Sequence, residues 1–351
     1  MKIWPFGEFE LPSFRPHPLL RNGHLQTLAG VFLPGPLPDY SAAQHRVTLD
    51  DGDQIILHDD CPADWPAGGQ TALLMHGLGG CHQSVYMRRI ADKLRARKVR
   101  AFRMDLRGCG AGVELARLPY HSGRSADAVA ALRYIANLCP GSPVAMIGFS
   151  LSGNIALKLA GELSSATPAN LQSVMAVCPP IDLSACSQWI SRWRNRVYDR
   201  YFAKLLHRQL DERRVRAPHA AVVDFIRRPK QLREIDDWFT APVCGFGTAE
   251  NYYRECSSAP LLPEIRLPTL ILAAADDPLV PLHSLANLPR SRSTTLRVAR
   301  HGGHLGFIGA RSGDPDRRWL DWRVVEWVLA LAGTHSTSSA RIGTAAAALS
   351  T

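Results

Sequence analysis

The sequence predicts an α/β fold: a mostly parallel central sheet with helices on both faces, interrupted by a helical insertion. Three observations predict it. Short apolar runs alternate with segments of helical periodicity over most of the chain, which is the signature of strands joined by crossover helices. The alternation stops between about Pro179 and Ser258 and then resumes. One buried run, Val144–Ile147, passes almost directly into a helical pattern through Gly148-Phe-Ser150.

In chain order, Gln54–His58 and Thr71–Met75 read as strands, the second apolar throughout as in a strand covered on both faces. Met87, Ile90, Ala91 and Leu94 recur at i, i+3, i+4 and i+7, one face of a helix. Val99–Met104 is the next strand, and Val129, Leu132, Ile135 and Ala136 mark a second helix. After Val144–Ile147 a helix runs through Ile155, Leu159 and Leu163, and Leu171–Val177 is again a strand. Leu270–Ala274 and Thr295–Val298 close the set of strands. A last helix is predicted through Leu320, Val324, Trp327, Val328 and Leu331, with Asp314 and Pro315 as its cap and first turn.

The expected organisation is an N-terminal extension packing on the core (1–44), a first core part (45–178), a helical basic lid (179–258), a second core part (259–333) and a disordered tail (334–351) rich in Ala, Ser and Thr. An insertion between two late strands lies over the C-terminal edge of the sheet, where such folds bind ligands, hence a lid. Tyr198, Tyr201, Phe202 and Leu205 are expected on one face of a helix in it.

With 46% hydrophobic and 21% charged residues among 351, the composition is that of an ordinary globular chain. Residues 1–20 lack the apolar run of a secretory signal, and no stretch approaches the roughly eighteen apolar residues of a membrane span, so a cytoplasmic protein is expected. The eight cysteines include no C-x-x-C pair, and reduced thiols are expected. Of the net charge of +10, +9 falls between Arg192 and Arg233, where thirteen Lys/Arg face four Asp/Glu. Such a run is either a solvated helical surface or a surface for anionic lipid or substrate, which allows peripheral membrane contact. No nucleic-acid-binding motif accompanies it.

Chemistry concentrates at Val144-Ala-Met-Ile-Gly-Phe-Ser-Leu-Ser-Gly153. A nucleophile on a tight strand-to-helix turn needs small residues two before and two after it, and Gly148 and Ser152 flank Ser150 in this way. Gly is usual at the second place, so Ser152 departs from the pattern, with Gly153 following. A serine hydroxyl needs a base at neutral pH. Arg300-His-Gly-Gly-His-Leu-Gly306 follows the last strand, and His304, deeper in the glycine-rich loop than His301, is the preferred base. The H-x-x-H spacing lacks a third ligand cluster, so no metal is expected. For the acid that orients the base, Asp276 and Asp277 compete after Leu270–Ala274; Asp277 is preferred and Asp276 assigned to the turn. Oxyanion donors are expected from the backbone N–H of Leu151 and of Leu78, in His76-Gly-Leu-Gly-Gly80, with His76 bracing that loop. The glycine runs fit neither a phosphate cradle nor a dinucleotide fingerprint, and no organic cofactor is expected.

Together these segments resemble the α/β-hydrolase superfamily, and within it the YheT-like branch (AB-hydrolase 4 family). The resemblance spans Phe14 to Leu331. It rests also on Asn22-Gly-His-Leu-Gln-Thr27, Asp105-Leu-Arg-Gly-Cys-Gly110, Tyr120-His-Ser-Gly123, Asn154 after the serine turn, Tyr252-Tyr253 and Asp276-Asp-Pro278. It implies an α/β-hydrolase fold, a Ser150–Asp277–His304 triad in which Asp277 sits in a D-P-x-x-P loop, and hydrolysis of small-molecule or lipid carboxylic esters. The H-x4-D motif of glycerolipid acyl transfer is not carried by the catalytic loop: Gly309 stands at that distance from His304, and His45/Asp50 and His219/Asp224 lie elsewhere. Two other expectations compatible with the fold are amide or peptide cleavage and a non-catalytic lipid-binding protein.

Overall fold

A computed structural model describes residues 11–330 apart from 34, 39–41, 164–167 and 226. Leu331 and the expected tail lie outside the described residues. Eight strands form one sheet in the order β1-β2-β4-β3-β5-β6-β7-β8. They are β1 (Ala43–Thr48), β2 (Gln54–Asp60), β3 (Thr71–Met75), β4 (Arg100–Asp105), β5 (Val144–Phe149), β6 (Leu171–Val177), β7 (Thr269–Ala274) and β8 (Thr294–Ala299). β2 runs antiparallel to both β1 and β4, and all other neighbours are parallel.

The parallel strands β3, β5 and β7 are buried on both faces, which is why they read as apolar runs, whereas the edge strand β8 is largely half-buried or exposed. Alternate residues of β3 feed two cores. Leu73 and Met75 join the side covered by α3 (Ser125–Leu138) and α4 (Leu151–Glu162), through Leu132, Ile135, Ile155 and Leu159. Ala72 and Leu74 join the side covered by α2 (Val85–Arg95) and the C-terminal helix 319–330, through Ile90, Leu94, Val324 and Trp327.

Three features differ from the sequence expectations. β1 has one buried residue, Val47, because it is an edge strand with an exposed face; no apolar alternation announces it. The last helix starts at 319, not after Asp314-Pro315. The Asp316 carboxylate accepts the Arg318 N–H at the turn before the helix, and Asp314 is spent on an ion pair with Arg323. Within the insertion, Tyr201 faces solvent while Tyr198 is buried and Phe202 and Leu205 are half-buried, so the expected face is one residue narrower.

The insertion between β6 and β7 carries α5 (Leu183–Ile190), α6 (Arg196–Arg216) and shorter helical pieces from Leu232 to Val243 and from Ala249 to Cys256. Ahead of the sheet, α1 (Gly23–Phe32) is capped by Asn22, whose side chain accepts from the N–H groups of His24 and Leu25. Among the described residues no helix is long and apolar enough to cross a membrane. All eight cysteines are free.

Candidate active site

Three loops at the C-terminal ends of parallel strands converge. Ser150 stands between β5 and α4 at φ 52°, ψ −120°, a conformation that costs a non-glycine residue about 1–3 kcal/mol. The turn is possible because a Cβ on Gly148 would collide with the carbonyl of Ser152. The departure at Ser152 has its own use: its hydroxyl donates to the His76 carbonyl at 2.5 Å and ties the Ser150 turn to the loop after β3.

His304 places Nε2 2.8 Å from Ser150 Oγ and Nδ1 2.9 Å from Asp277 Oδ2. With Nδ1–H donated to the carboxylate, Nε2 is left to accept the serine proton. Asp277 is buried, and its other oxygen accepts the N–H groups of Leu279 and Val280 at 2.8 and 3.0 Å, which fixes the carboxylate against the ring. Asp276 faces away: its Oδ1 accepts the Gly303 N–H at 2.9 Å and its Oδ2 lies 3.5 Å from His301 Nδ1. Asp277 therefore faces the His304 ring, and Asp276 faces the Gly303 backbone and His301.

Within the loop after β3, the N–H of Gly77 is donated to the Tyr86 hydroxyl, that of Gly79 to the Tyr120 hydroxyl and that of Gly80 to the Gly77 carbonyl. The Leu78 N–H has no hydrogen-bond partner among the described residues, and neither does that of Leu151 at the start of α4. The Ser150 N–H is spent on the Val177 carbonyl. His76 braces this loop. Its Nδ1 lies 2.8 Å from the Gly77 carbonyl, its Nε2 accepts the Leu106 N–H at 3.2 Å, and burial pushes its pKa down, favouring the neutral ring.

Sequence reasoning missed what holds the histidine loop. The His304 N–H is donated to Thr27 Oγ1 at 2.8 Å, and that hydroxyl donates to the Gly23 carbonyl. Gln26 donates to the Leu20 and Ile308 carbonyls and accepts the Ile308 N–H. Gly303 has φ +57°, and a Cβ there would collide with the Gly23 carbonyl. The signal was present in Asn22-Gly-His-Leu-Gln-Thr27, but nothing local says which loop those polar side chains serve.

A cleft of about 680 Å³ opens at Ser150 and His304, lined by apolar side chains that include Leu183, Ile190, Phe202 and Leu279. A second chamber of about 530 Å³ adjoins it, and both share Leu78, Leu151, Asp236 and Tyr252. Asp236 is a further residue that sequence reasoning missed: burial pushes its carboxyl up to about 7, against the pull of the Tyr253 hydroxyl 2.7 Å away.

Spatial clustering of possible metal ligands, which chain spacing did not reveal, occurs twice among the described residues. Cys178 joins Asp277 and His304, but burial pushes its thiol well above the ordinary range, favouring the protonated form. His58 and His82 both reach Asp105 Oδ2, at 2.9 and 2.8 Å. The Asp105 carboxylate also accepts the N–H groups of His82 and Ala111, so protein donors already engage both its oxygens.

The family model of the alpha/beta hydrolase fold matches residues 72–310. The chain belongs to this family. Within it the chain is YheT-like and a hydrolase. It is 31% identical over 314 residues to the Escherichia coli (strain K12) protein named "Putative esterase YheT", covering 88% of this chain and 90% of that one. It is 27% identical over 259 residues to the monoacylglycerol lipase of Saccharomyces cerevisiae, covering 70% of this chain and 56% of that one. Among solved structures, ferulic-acid-bound Est1E from Butyrivibrio proteoclasticus superposes with a TM-score of 0.53 at 16% identity, over 81% of this chain and 98% of that one, which speaks to the fold.

Proposed function

We propose that this hydrolase cleaves carboxylic esters of apolar acyl groups through an acyl-enzyme on Ser150. The observation that carries the reading is the relay of Asp277, His304 and Ser150 at 2.9 and 2.8 Å. His304 Nε2 takes the Ser150 proton as Oγ attacks the ester carbonyl, and the resulting oxyanion is held by the N–H groups of Leu78 and Leu151. The tetrahedral adduct collapses as His304 returns the proton to the departing alcohol, leaving Ser150 acylated. A water, deprotonated by His304, then releases the acid and restores the serine. No cofactor enters this scheme.

The apolar lining of the cleft supports a medium-chain or lipid acyl group, as does the relative that is a monoacylglycerol lipase. α5 and α6 serve as a lid, contributing Ile190 and Phe202 to the wall over the nucleophile. Unpaired cysteines fit a reducing, cytoplasmic setting. The test is a panel of p-nitrophenyl and glycerol esters of graded chain length beside the matching anilides. Ester turnover should exceed anilide turnover by at least about 100-fold and favour chains longer than acetyl. Turnover of anilides alone, or of no substrate by protein that a serine probe fails to label, would reject it.

Thr27 is expected to support catalysis through the loop it holds. Thr27→Val leaves the His304 N–H buried without an acceptor, worth about 1–3 kcal/mol. We expect kcat to fall about tenfold with KM for a short ester unchanged, and Thr27→Ser, which keeps the oxygen, to stay near wild type. Steady-state kinetics of both variants check this.

A further inference from the structure

α1 meets α6 where His24 Nδ1 lies 3.0 Å from the Tyr198 hydroxyl and the two rings stack with centroids 5.7 Å apart. Large apolar side chains flank this contact in the open. α1 turns Gln26 and Thr27 inward to the His304 loop and leaves Leu25, Leu28, Val31 and Phe32 exposed on its other side. On α6 Val197 and Tyr201 are exposed, and so is Trp193 in the turn before it, by 78%. Single exposed apolar residues are ordinary; rows of them on two touching helices are not.

The basic run sorts itself in the same place. Arg214, Arg216, Arg227, Arg228 and Arg233 are spent on carboxylates. Arg213 is buried and donates to the carbonyls of Ala116 and Arg117. Arg192, Arg194, Arg196, Arg200, Lys204 and Arg208 are exposed, with no carboxylate within 4.0 Å among the described residues. The acid in that stretch, Asp199, is buried and accepts the Leu232 N–H. The outward charge of residues 192–208 is therefore purely cationic, and it surrounds the exposed Trp193, Val197 and Tyr201.

We propose that the exposed sides of α1 and the first half of α6, with the turn at Trp193, form a docking surface for an anionic lipid bilayer. The apolar side chains enter the interface and the cations face lipid head groups, the composition of an interfacial helix. Arg194 stacks over Trp193 at 5.0 Å, and a tryptophan held beside a cation suits the level of the head groups. A nucleic acid would answer the cations but leave the aliphatic Leu28, Val31 and Val197 in water, whereas a bilayer answers both. The surface also has a position relative to the cleft: Tyr201 points out of α6 while its neighbour Phe202 lines the cavity at Ser150. Docking brings the wall of the cleft against the membrane.

The test is co-sedimentation with vesicles of phosphatidylcholine alone or with one-third phosphatidylglycerol, in the Ser150→Ala background so that no lipid is consumed. Failure of the hydrolytic reading therefore leaves this result untouched. Binding is expected to the anionic vesicles, weak to the neutral ones, and to fall steeply between about 50 and 500 mM salt. Reversal of Arg192, Arg194, Arg200 and Lys204 to Glu should weaken it at least about 100-fold, at roughly fivefold per cation. Leu28→Ser with Trp193→Ser should weaken it as well, at unchanged charge. All of these side chains are exposed, so melting temperatures should stay within a few degrees, and in the Ser150 form turnover of a short neutral ester should be unchanged. Equal binding by the parent and the charge-reversed protein, or no binding at low salt, overturns the proposal. So does a parent that ignores vesicles and instead forms a dimer dissolved by the same substitutions.

Discussion

Ser150→Ala is expected to lower kcat for a p-nitrophenyl ester by about 10⁶, the scale on which serine-hydrolase relays fail when the nucleophile is lost. Only the Oγ contact to His304 is removed, while the strained turn is kept by backbone bonds, Ser150 N–H to Val177 and Gly153 N–H to the Ser150 carbonyl. The melting temperature should therefore move little, and the loss should appear in kcat rather than in folded yield. Turnover within tenfold of wild type in the purified variant would place the nucleophile elsewhere.

Asp277→Asn should cost about 10⁴ in kcat, and Asp276→Asn less than tenfold. An amide at 277 can still accept the N–H groups of Leu279 and Val280 through its oxygen, but its NH₂ then meets His304 Nδ1. The ring must present an unprotonated Nδ1 to that group, so Nε2 carries the proton and can no longer take one from Ser150. At 276 the amide oxygen still accepts the Gly303 N–H, so the loop keeps its anchor. Steady-state kinetics on the pair decide it, and an inactive Asp276→Asn beside an active Asp277→Asn would reverse the assignment.

The strand-to-helix turn at Ser150 and the glycine-rich loop that carries His304 were legible because their requirements are local: a small residue on either side of the turn, and glycines around an imidazole. The choice between two adjacent aspartates was less so, since it depends on how the turn after β7 directs each carboxylate. Thr27 and Gln26 were not legible as supports of the histidine loop, because their partners lie more than 270 residues away in the chain. β1 was missed for a related reason: an edge strand with one buried residue has no alternation to detect. The charge of the insertion was counted correctly, yet a count does not separate Arg228, paired with Asp211, from Arg200, which has no such partner among the described residues. The cap predicted at Asp314 failed because a short polar residue before a helix can serve the turn or an ion pair equally well.

The central claim, that Ser150 carries the acyl group, is tested most directly by intact and peptide mass spectrometry after treatment with a fluorophosphonate. One adduct per chain, on the peptide that contains Ser150 and absent from Ser150→Ala, is the result expected. An adduct of the same yield in Ser150→Ala, or one located on Ser122 or Ser152, would contradict it.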